Sequence, residues 1–105
     1  MIASFETDFN TVKVIINEVK IDGQNSIFEF MVEQKIAIKN IEKMIIDFDK
    51  VAYINSLGIA EFISLMRYYT EKKPKIRYRF INVDKKISKI FKMVELGSIA
   101  DIESK

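Results

Sequence analysis

Two residue types that serve much of protein chemistry are missing from this chain of 105 residues, which contains no histidine and no cysteine. Histidine is the commonest general base and metal ligand, while cysteine supplies thiolate nucleophiles, disulfides and metal sites. Their absence argues against most hydrolases and metalloenzymes and leaves carboxylate chemistry as the main enzymatic possibility. We therefore expect a protein that is not an enzyme and that uses neither a metal nor a cofactor.

Residues that interrupt regular structure are also scarce, with one proline and three glycines. No linker, repeat or low-complexity segment is present, which favours a single domain over residues 1–105. No apolar run approaches the roughly 20 residues that a membrane helix needs. The first residues lack the basic start and long apolar stretch of a secretory signal. We expect a cytoplasmic protein that does not insert directly into a membrane.

The composition that remains is typical of a soluble globular domain, with 49% hydrophobic and 30% charged residues. The 17 basic and 15 acidic side chains give a net charge of +2. Because this excess is small, it does not favour a nucleic acid as partner.

Hydrophobic periodicity divides the chain into alternating strands and helices. The predicted strands are a short one near Phe5 and Phe9, then 11–21, 44–54, 75–83 and 99–102, and the predicted helices are 26–40, 56–72 and a third that Asp84 caps. Strands that alternate with helices of this length form βαβ units. We expect an α/β fold with a mixed, mostly parallel sheet of four to five strands, packed with three or more helices and beginning with a hairpin.

Two segments have more apolar residues than one buried face requires. The nearly continuous apolar run at 44–54 predicts a strand buried on both faces, with a bend or bulge at 49–50. The first helix has two apolar stripes, one formed by Ile27, Phe30, Met31, Ile38 and Ile41 and the other by Phe28, Val32 and Ile36. Either this helix has one broad buried face, or part of it meets another chain in a homo-oligomer.

A third helix is predicted near the end of the chain, after Asp84. Its core face is expected to contain Ile87, Ile90, Phe91 and Val94. Gly97 is expected just beyond the helix end, where glycine is favoured. Residues 103–105 are expected to be frayed.

The most informative stretch is the polar turn Asn55-Ser56-Leu57-Gly58, which separates the apolar strand from the second helix. Serine and asparagine are both favoured as helix N-caps, so Ser56 has a purely structural interpretation. The functional interpretation of Ser56 is a phosphoacceptor. A phosphate at this point would lie beside the positive helix end and would be tolerated by the domain, but it would disrupt a partner packed there.

Other candidate sites give weaker signals. Asp47 and Asp49 lie two apart on a strand, but a metal would need ligands from further segments. An enzyme using carboxylates would need a cleft lined by these two residues and Asp84. Ser56 has no histidine to activate it as a nucleophile. The basic cluster at 72–79 is typical of a solvated helix end and strand edge.

Taken together, residues 44–59 resemble the central signature of STAS domains, the family of bacterial anti-sigma-factor antagonists. That signature is an apolar strand ending in aspartate, a short connection, and Asp-Ser-Ser-Gly-Leu/Ile opening a helix. Residues 79–83 resemble the strand that follows in the family, and 90–96 resemble its third helix. The similarity in element order covers essentially the whole chain and is loose before residue 42.

The resemblance places the phosphoacceptor serine of the family on Ser56, the motif glycine on Gly58 and the strand aspartate on Asp47. Three positions depart from the pattern: Asn55 replaces an aspartate, Leu57 replaces a second hydroxyl residue and Glu95 replaces a glycine. The partner-binding surface implied by the resemblance consists of Asn55, Ser56, Leu57, Gly58, Glu61 and Ser64.

The function implied by the resemblance is regulation of bacterial transcription. The unphosphorylated protein would bind an anti-sigma-factor serine kinase and so release a sigma factor. Phosphorylation of Ser56 would break that contact, and a serine phosphatase would restore it. The alternative is a constitutive STAS scaffold or a transporter-associated subunit, in which Ser56 is not a switch; the departures at Asn55 and Leu57 favour it.

Overall fold

The computed structural model describes residues 2–35, 40–94 and 96–105. Its elements, in chain order, are β1 (Ala3–Asp8), β2 (Thr11–Ile16), β3 (Lys20–Ile21), α1 (Ile27–Glu33), β4 (Lys43–Asp47), β5 (Tyr53–Ile54), α2 (Ser56–Lys72), β6 (Arg77–Val83), α3 (Lys85–Met93), a 3-10 turn (Leu96–Ser98) and β7 (Ala100–Ser104).

Five of the strands form one sheet in the order β1-β2-β4-β6-β7. The first pair is an antiparallel hairpin, and the other three pairs are parallel. The short strands β3 and β5 pair separately, also in parallel. The predicted α/β fold with a mixed, mostly parallel sheet and an initial hairpin is therefore confirmed, since three helices connect and cover these strands.

The core lies between the helices and one face of the sheet. Its centre is a cluster of four phenylalanines whose ring centroids lie 5.1 to 6.4 Å apart: Phe48, Phe62, Phe80 and Phe91. These rings come from the residue after β4, from α2, from β6 and from α3, so one cluster joins two helices to the sheet. Aromatic side chains bury large apolar areas, and the tilted and edge-on geometries seen here are the favoured ones.

The predicted strand 44–54 is wrong in two respects. It stops at Asp47, turns at residues 49–50, where a bend was expected, and resumes as β5. The break has a local cause, because the Asp47 carboxylate accepts a hydrogen bond from the backbone N–H of Asp49 at 3.0 Å. The strand is also covered on one face only: Met44 and Ile46 are fully buried, whereas Ile45 is half-buried on the open face. Likewise, the predicted strand 11–21 divides into β2 and β3.

The first helix is shorter than predicted. Ser26 is its N-cap and accepts a hydrogen bond from the N–H of Glu29 at 3.0 Å, and the helix ends at Glu33. Both apolar stripes pack on the chain itself in the part described, since Phe28 contacts Tyr68 and Phe30 stacks on Phe5. A broad buried face accounts for these contacts. The predicted core residue Ile38 and the stripe residue Ile36 lie outside the described residues.

The expectations for the C-terminal segment need three corrections. Val94 is the C-cap of α3 and is exposed rather than part of its core face, whereas Ile87 and Phe91 are buried as predicted. Gly97 lies in the 3-10 turn and not directly after the helix. The last residues are not frayed, because Ser104 belongs to β7 and the N–H of Lys105 donates to the carbonyl of Val83 at 2.9 Å.

Two tyrosines are buried between α2 and β6, Tyr69 on the helix and Tyr78 on the strand. Their burial is expected to make the fold less stable at alkaline pH. Burial, with a smaller contribution from Tyr68 and Tyr78, raises the pKa of Tyr69 to about 12. The folded state therefore holds this proton more tightly than the unfolded chain, in which tyrosine titrates near 10. We expect the stabilisation to be complete below about pH 10 and to be lost as pH rises towards 12, at up to about 1.4 kcal/mol per pH unit.

Urea unfolding measured at several pH values between about 9 and 11 tests this expectation. The control is Tyr69→Phe, which keeps the ring and removes the ionisable hydroxyl. Its free energy of unfolding should fall less steeply with pH than that of the original protein, with the remaining slope due partly to Tyr78, whose pKa burial also raises. Equal slopes for the two proteins would contradict the assignment.

Candidate functional site

The turn between β5 and α2 is built on Asn55, the N-cap of the helix. Its side-chain oxygen accepts a hydrogen bond from the N–H of Gly58, and its backbone carbonyl accepts one from Ile59, both at 3.0 Å. Its side-chain amide also donates to the carbonyl of Asp22 at 3.3 Å, and its N–H donates to the carbonyl of Ile21 at 3.2 Å. Asn55 therefore caps the helix and ties the turn to the loop that follows β3.

Ser56 is the first residue of α2, and its side chain is exposed. Among the residues that the structure describes, its hydroxyl has no hydrogen-bond partner, and the N–H groups of Ser56 and Leu57 are also without one. These two N–H groups belong to the unpaired donors of a helix start, which attract negative charge. Because Asn55 caps the helix, the structural interpretation of Ser56 as the cap is wrong, and its hydroxyl is free for other chemistry.

Two glycines allow the turn and the loop after β3 to pack closely. A Cβ on Gly58 would lie 2.2 Å from the carbonyl oxygen of Ile21, far inside van der Waals contact. Gly23 has a φ of +89°, and a Cβ on it would lie 2.8 Å from the Cβ of Leu57. Sequence reasoning identified Gly58 and predicted a turn at Gly23, but not the contact of Gly23 with Leu57. The signal for Gly23 was the Asp-Gly pair, which is typical of a turn that needs a positive φ.

The residues predicted to form a partner-binding surface differ in their accessibility. Ser56 and Leu57 are exposed, Leu57 at 62% of its surface, while Asn55 and Ser64 are half-buried. Gly58 is buried, so its contribution is to the packing beneath the surface.

Two further side chains define the limits of this surface. The carboxylate of Glu61 accepts a hydrogen bond from the N–H of Phe28 at 3.4 Å, so it is directed towards the start of α1. Tyr53, which sequence reasoning missed, is 50% exposed and lies three residues before Ser56. The feature of the sequence that could have indicated its exposure is its position next to Ile54 on a strand, where neighbouring side chains point to opposite faces. The exposed hydroxyl of Ser56 thus has an exposed apolar side chain on either side of it in the chain.

The carboxylates proposed for an enzymatic cleft each have a structural partner. Asp47 accepts hydrogen bonds from Asp49 and from the side-chain amide of Asn82, both at 3.0 Å. Asp49 pairs with Lys105 at 3.4 Å, and Asp84 caps α3 by accepting from the N–H of Lys86 at 2.9 Å. Within residues 2–35, 40–94 and 96–105, no group of three or more acidic side chains is placed to hold a metal ion.

In the described part of the chain, no helix has both the length and the apolar character required to cross a bilayer.

Comparison with known proteins rests on structure, because no protein-family model and no characterised protein matches the sequence significantly. A protein from Thermotoga maritima, assigned as an anti-sigma factor antagonist, has a similar structure with a TM-score of 0.74 and 14% sequence identity. The similarity covers 98% of this chain and 86% of that one. The anti-sigma factor antagonist SpoIIAA in its unphosphorylated form gives a TM-score of 0.58 at 14% identity, over 87% of this chain and 82% of SpoIIAA.

A third similar structure belongs to a much larger protein, the murine anion transporter Slc26a9 in its inward-facing state. The TM-score is 0.70 at 16% identity, and the similarity covers 84% of this chain but only 14% of the transporter. All three likenesses concern the fold, since the sequences are too different to show more. The order and direction of the strands, the three helices and these structural likenesses together confirm the expected architecture: this chain has the α/β fold of a STAS domain.

Proposed function

We propose that this protein is a non-enzymatic regulatory domain of the anti-sigma-factor antagonist type, which binds a partner protein through the start of α2 and is switched by phosphorylation of Ser56. The single observation that supports this most is the position of Ser56. It is exposed at the first residue of α2, while Asn55 makes the capping bonds that a serine could otherwise have made. A modification of Ser56 therefore removes no bond from the fold.

The electrostatics of the turn favour a phosphate on the isolated domain. A phosphoserine brings a charge of about −1.5 to −2 at neutral pH. It would lie next to the unpaired N–H groups of Ser56 and Leu57 and at the positive end of the helix dipole. The domain itself would then keep its fold and gain a modest electrostatic stabilisation.

The same phosphate would disfavour a bound partner. Leu57 directly after Ser56 and Tyr53 three residues before it present exposed apolar surface, and a partner that covers them must exclude water from the turn. A doubly charged group inside such an interface loses its hydration without gaining a matched cation, which is costly. Phosphorylation thus separates the partners without a change of fold.

The partner class follows from the STAS resemblance. We propose a bacterial, cytoplasmic serine kinase that also acts as an anti-sigma factor, and a serine phosphatase that removes the phosphate. In its unphosphorylated form the domain would occupy the kinase and release a sigma factor for transcription. The contact surface would be the exposed part of the predicted set, centred on Ser56 and Leu57 and bordered by Asn55, Glu61 and Ser64.

Phosphate mapping provides a direct test. Incubation with the partner kinase and ATP should add one phosphate to the chain, and tandem mass spectrometry should locate it on Ser56. The control variant Ser56→Ala should remain unlabelled, while its unchanged melting temperature would show that it is folded. A phosphate found on another residue, or labelling of Ser56→Ala, would contradict the switch.

A constitutive scaffold or transporter-associated subunit is the second candidate, and two observations favour it. The fold also occurs as a part of the Slc26a9 anion transporter. In addition, the amide of Asn55 makes a donor bond to Asp22 that the aspartate of the family signature could not make, which ties the turn more firmly to its neighbour. In that case the start of α2 would bind a partner in the same way whether or not Ser56 were charged.

A further inference from the structure

The end of the sheet opposite Ser56 has an unusual combination of exposed apolar and basic residues. Because β2, β4, β6 and β7 are parallel, their first residues lie together at this end, and the β1–β2 hairpin loop lies beside them. α2 starts at the far end of the sheet, close to where these strands finish. The two ends are therefore separate surfaces of one domain.

Phe9 is the most anomalous residue at this end. It occupies the first position of the two-residue loop between Asp8 and Thr11, with a φ of +53° and 93% of its surface exposed. Hairpin loops favour glycine or asparagine at positions with positive φ, and a bulky residue there is strained. The ring gains almost no packing in return. A strained and solvated phenylalanine indicates a role outside the fold itself.

Basic side chains are numerous near Phe9, although acidic ones lie among them: Glu42 lines a depression with the ring and Lys73, and Asp101 lines another with Arg77. Backbone hydrogen bonds connect the loop to the neighbouring strands, from Glu42 to the carbonyl of Asn10 at 2.7 Å and from Arg77 to the carbonyl of Glu42 at 3.0 Å. Residues 72–77 contain four basic side chains and no acidic one. Lys43 and Arg77 are direct cross-strand neighbours, an unfavourable pairing of like charges, and neither forms an ion pair with any residue in the described ranges.

A second exposed apolar side chain lies beyond these cations. Ile99 precedes β7, is 53% exposed, and lines a surface depression of about 250 Å³ together with Arg77. Phe9 and Ile99 are thus separated by the starts of β4 and β6, a span of roughly 15 Å at the usual strand spacing. The basic residues lie between them.

We propose that this sheet end docks peripherally on an anionic lipid surface. The ring of Phe9 and the side chain of Ile99 would enter the headgroup region, and the basic side chains between them would meet the lipid phosphates. A lipid surface fits better than an apolar protein segment because Phe9 projects from the tip of a loop, and the depressions at this end are lined mostly by charged and polar side chains. In this orientation Ser56 faces away from the membrane and remains accessible to its partner.

Vesicle sedimentation with the full chain tests the proposal. The protein should sediment with vesicles that contain phosphatidylglycerol, much less with vesicles of phosphatidylcholine alone, and less as salt is added. Phe9→Gly should reduce the partition coefficient by about tenfold to a hundredfold, the range expected for removing one buried aromatic side chain. Its melting temperature should be unchanged or higher, since glycine suits a positive φ.

The charge requirement has a matched control. Lys75→Gln/Arg77→Gln alters the proposed surface, whereas Lys85→Gln/Lys86→Gln lowers the net charge equally at the start of α3, at the other end of the domain. Only the first pair should weaken sedimentation. The proposal is overturned by the absence of binding to phosphatidylglycerol vesicles, which is also the result expected if an acidic protein is the true ligand. It is equally overturned by full binding of Phe9→Gly or by equal losses in the two charge variants.

Discussion

Gly58→Ala should lower the free energy of unfolding by about 3 kcal/mol, at the upper end of the cost of overpacking a close contact. The added Cβ would lie 2.2 Å from the carbonyl oxygen of Ile21 and 2.8 Å from the side chain of Ile54. The first of these atoms belongs to the backbone of β3, so relief requires that α2 move away from the β3–β5 pair. Thermal unfolding should show a loss on the order of 10 °C or more for a domain of this size.

The sign of the effect distinguishes this close approach from ordinary helix propensity. In an exposed helical position, replacing glycine with alanine stabilises a protein by about 1 kcal/mol. Ala60 is exposed two residues further along the same helix, so Ala60→Gly should cost only about 1 kcal/mol. If Gly58→Ala proved neutral or stabilising, then α2 would not be held against β3 as the structure has it, and the position of Ser56 would need to be reconsidered.

The architecture could be predicted because the apolar pattern follows the period of each element. In β6 the buried Tyr78 and Phe80 alternate with the exposed Arg77 and Arg79, and this is the pattern of a strand with one covered face. Helix starts were visible through their caps, as for Asp84 and α3. These patterns involve residues that are close together in sequence, so they can be recognised without knowledge of the fold.

The break after β4 could not be predicted in the same way. An apolar run such as 44–54 is compatible with a strand buried on both faces and with a shorter strand followed by a buried turn. The choice depends on Asp47, whose carboxylate accepts from Asp49 and also from Asn82 on β6. The second of these bonds joins residues 35 positions apart, and no local pattern contains it.

The candidate site shows the same division between local and distant causes. Asn55 and Ser56 are both good N-caps, so local preference alone cannot decide which of them caps the helix. The structure selects Asn55 because its backbone and side chain also bond to Ile21, the last residue of β3, and to Asp22 in the loop that follows. An aspartate at this position could still cap the helix but would place a carboxylate against the carbonyl of Asp22. The departure from the family signature at Asn55 is therefore explained by packing of the turn.

The largest functional effect is expected for Ser56→Asp, which should weaken binding of the partner kinase by at least about thirtyfold, equivalent to roughly 2 kcal/mol. The cost arises because the carboxylate would lose its hydration in the proposed interface, next to the exposed apolar side chain of Leu57. The free domain should not suffer, since a negative charge at a helix start is favourable by about 0.3–1 kcal/mol. Its melting temperature should be unchanged or slightly raised. Titration calorimetry with the kinase provides the dissociation constant.

Ser56→Asn is the matched control, because asparagine has the size and shape of aspartate without its charge. If charge is the cause of the switch, Ser56→Asn should bind within a few-fold of the original protein, while Ser56→Asp should not. Equal and strong binding by both variants would contradict the switch and favour a constitutive scaffold. Equal and weak binding would show that the site is sensitive to size rather than to charge. Since the fold leaves the Ser56 hydroxyl without a structural bond, each of these outcomes reports on the partner interface and not on folding.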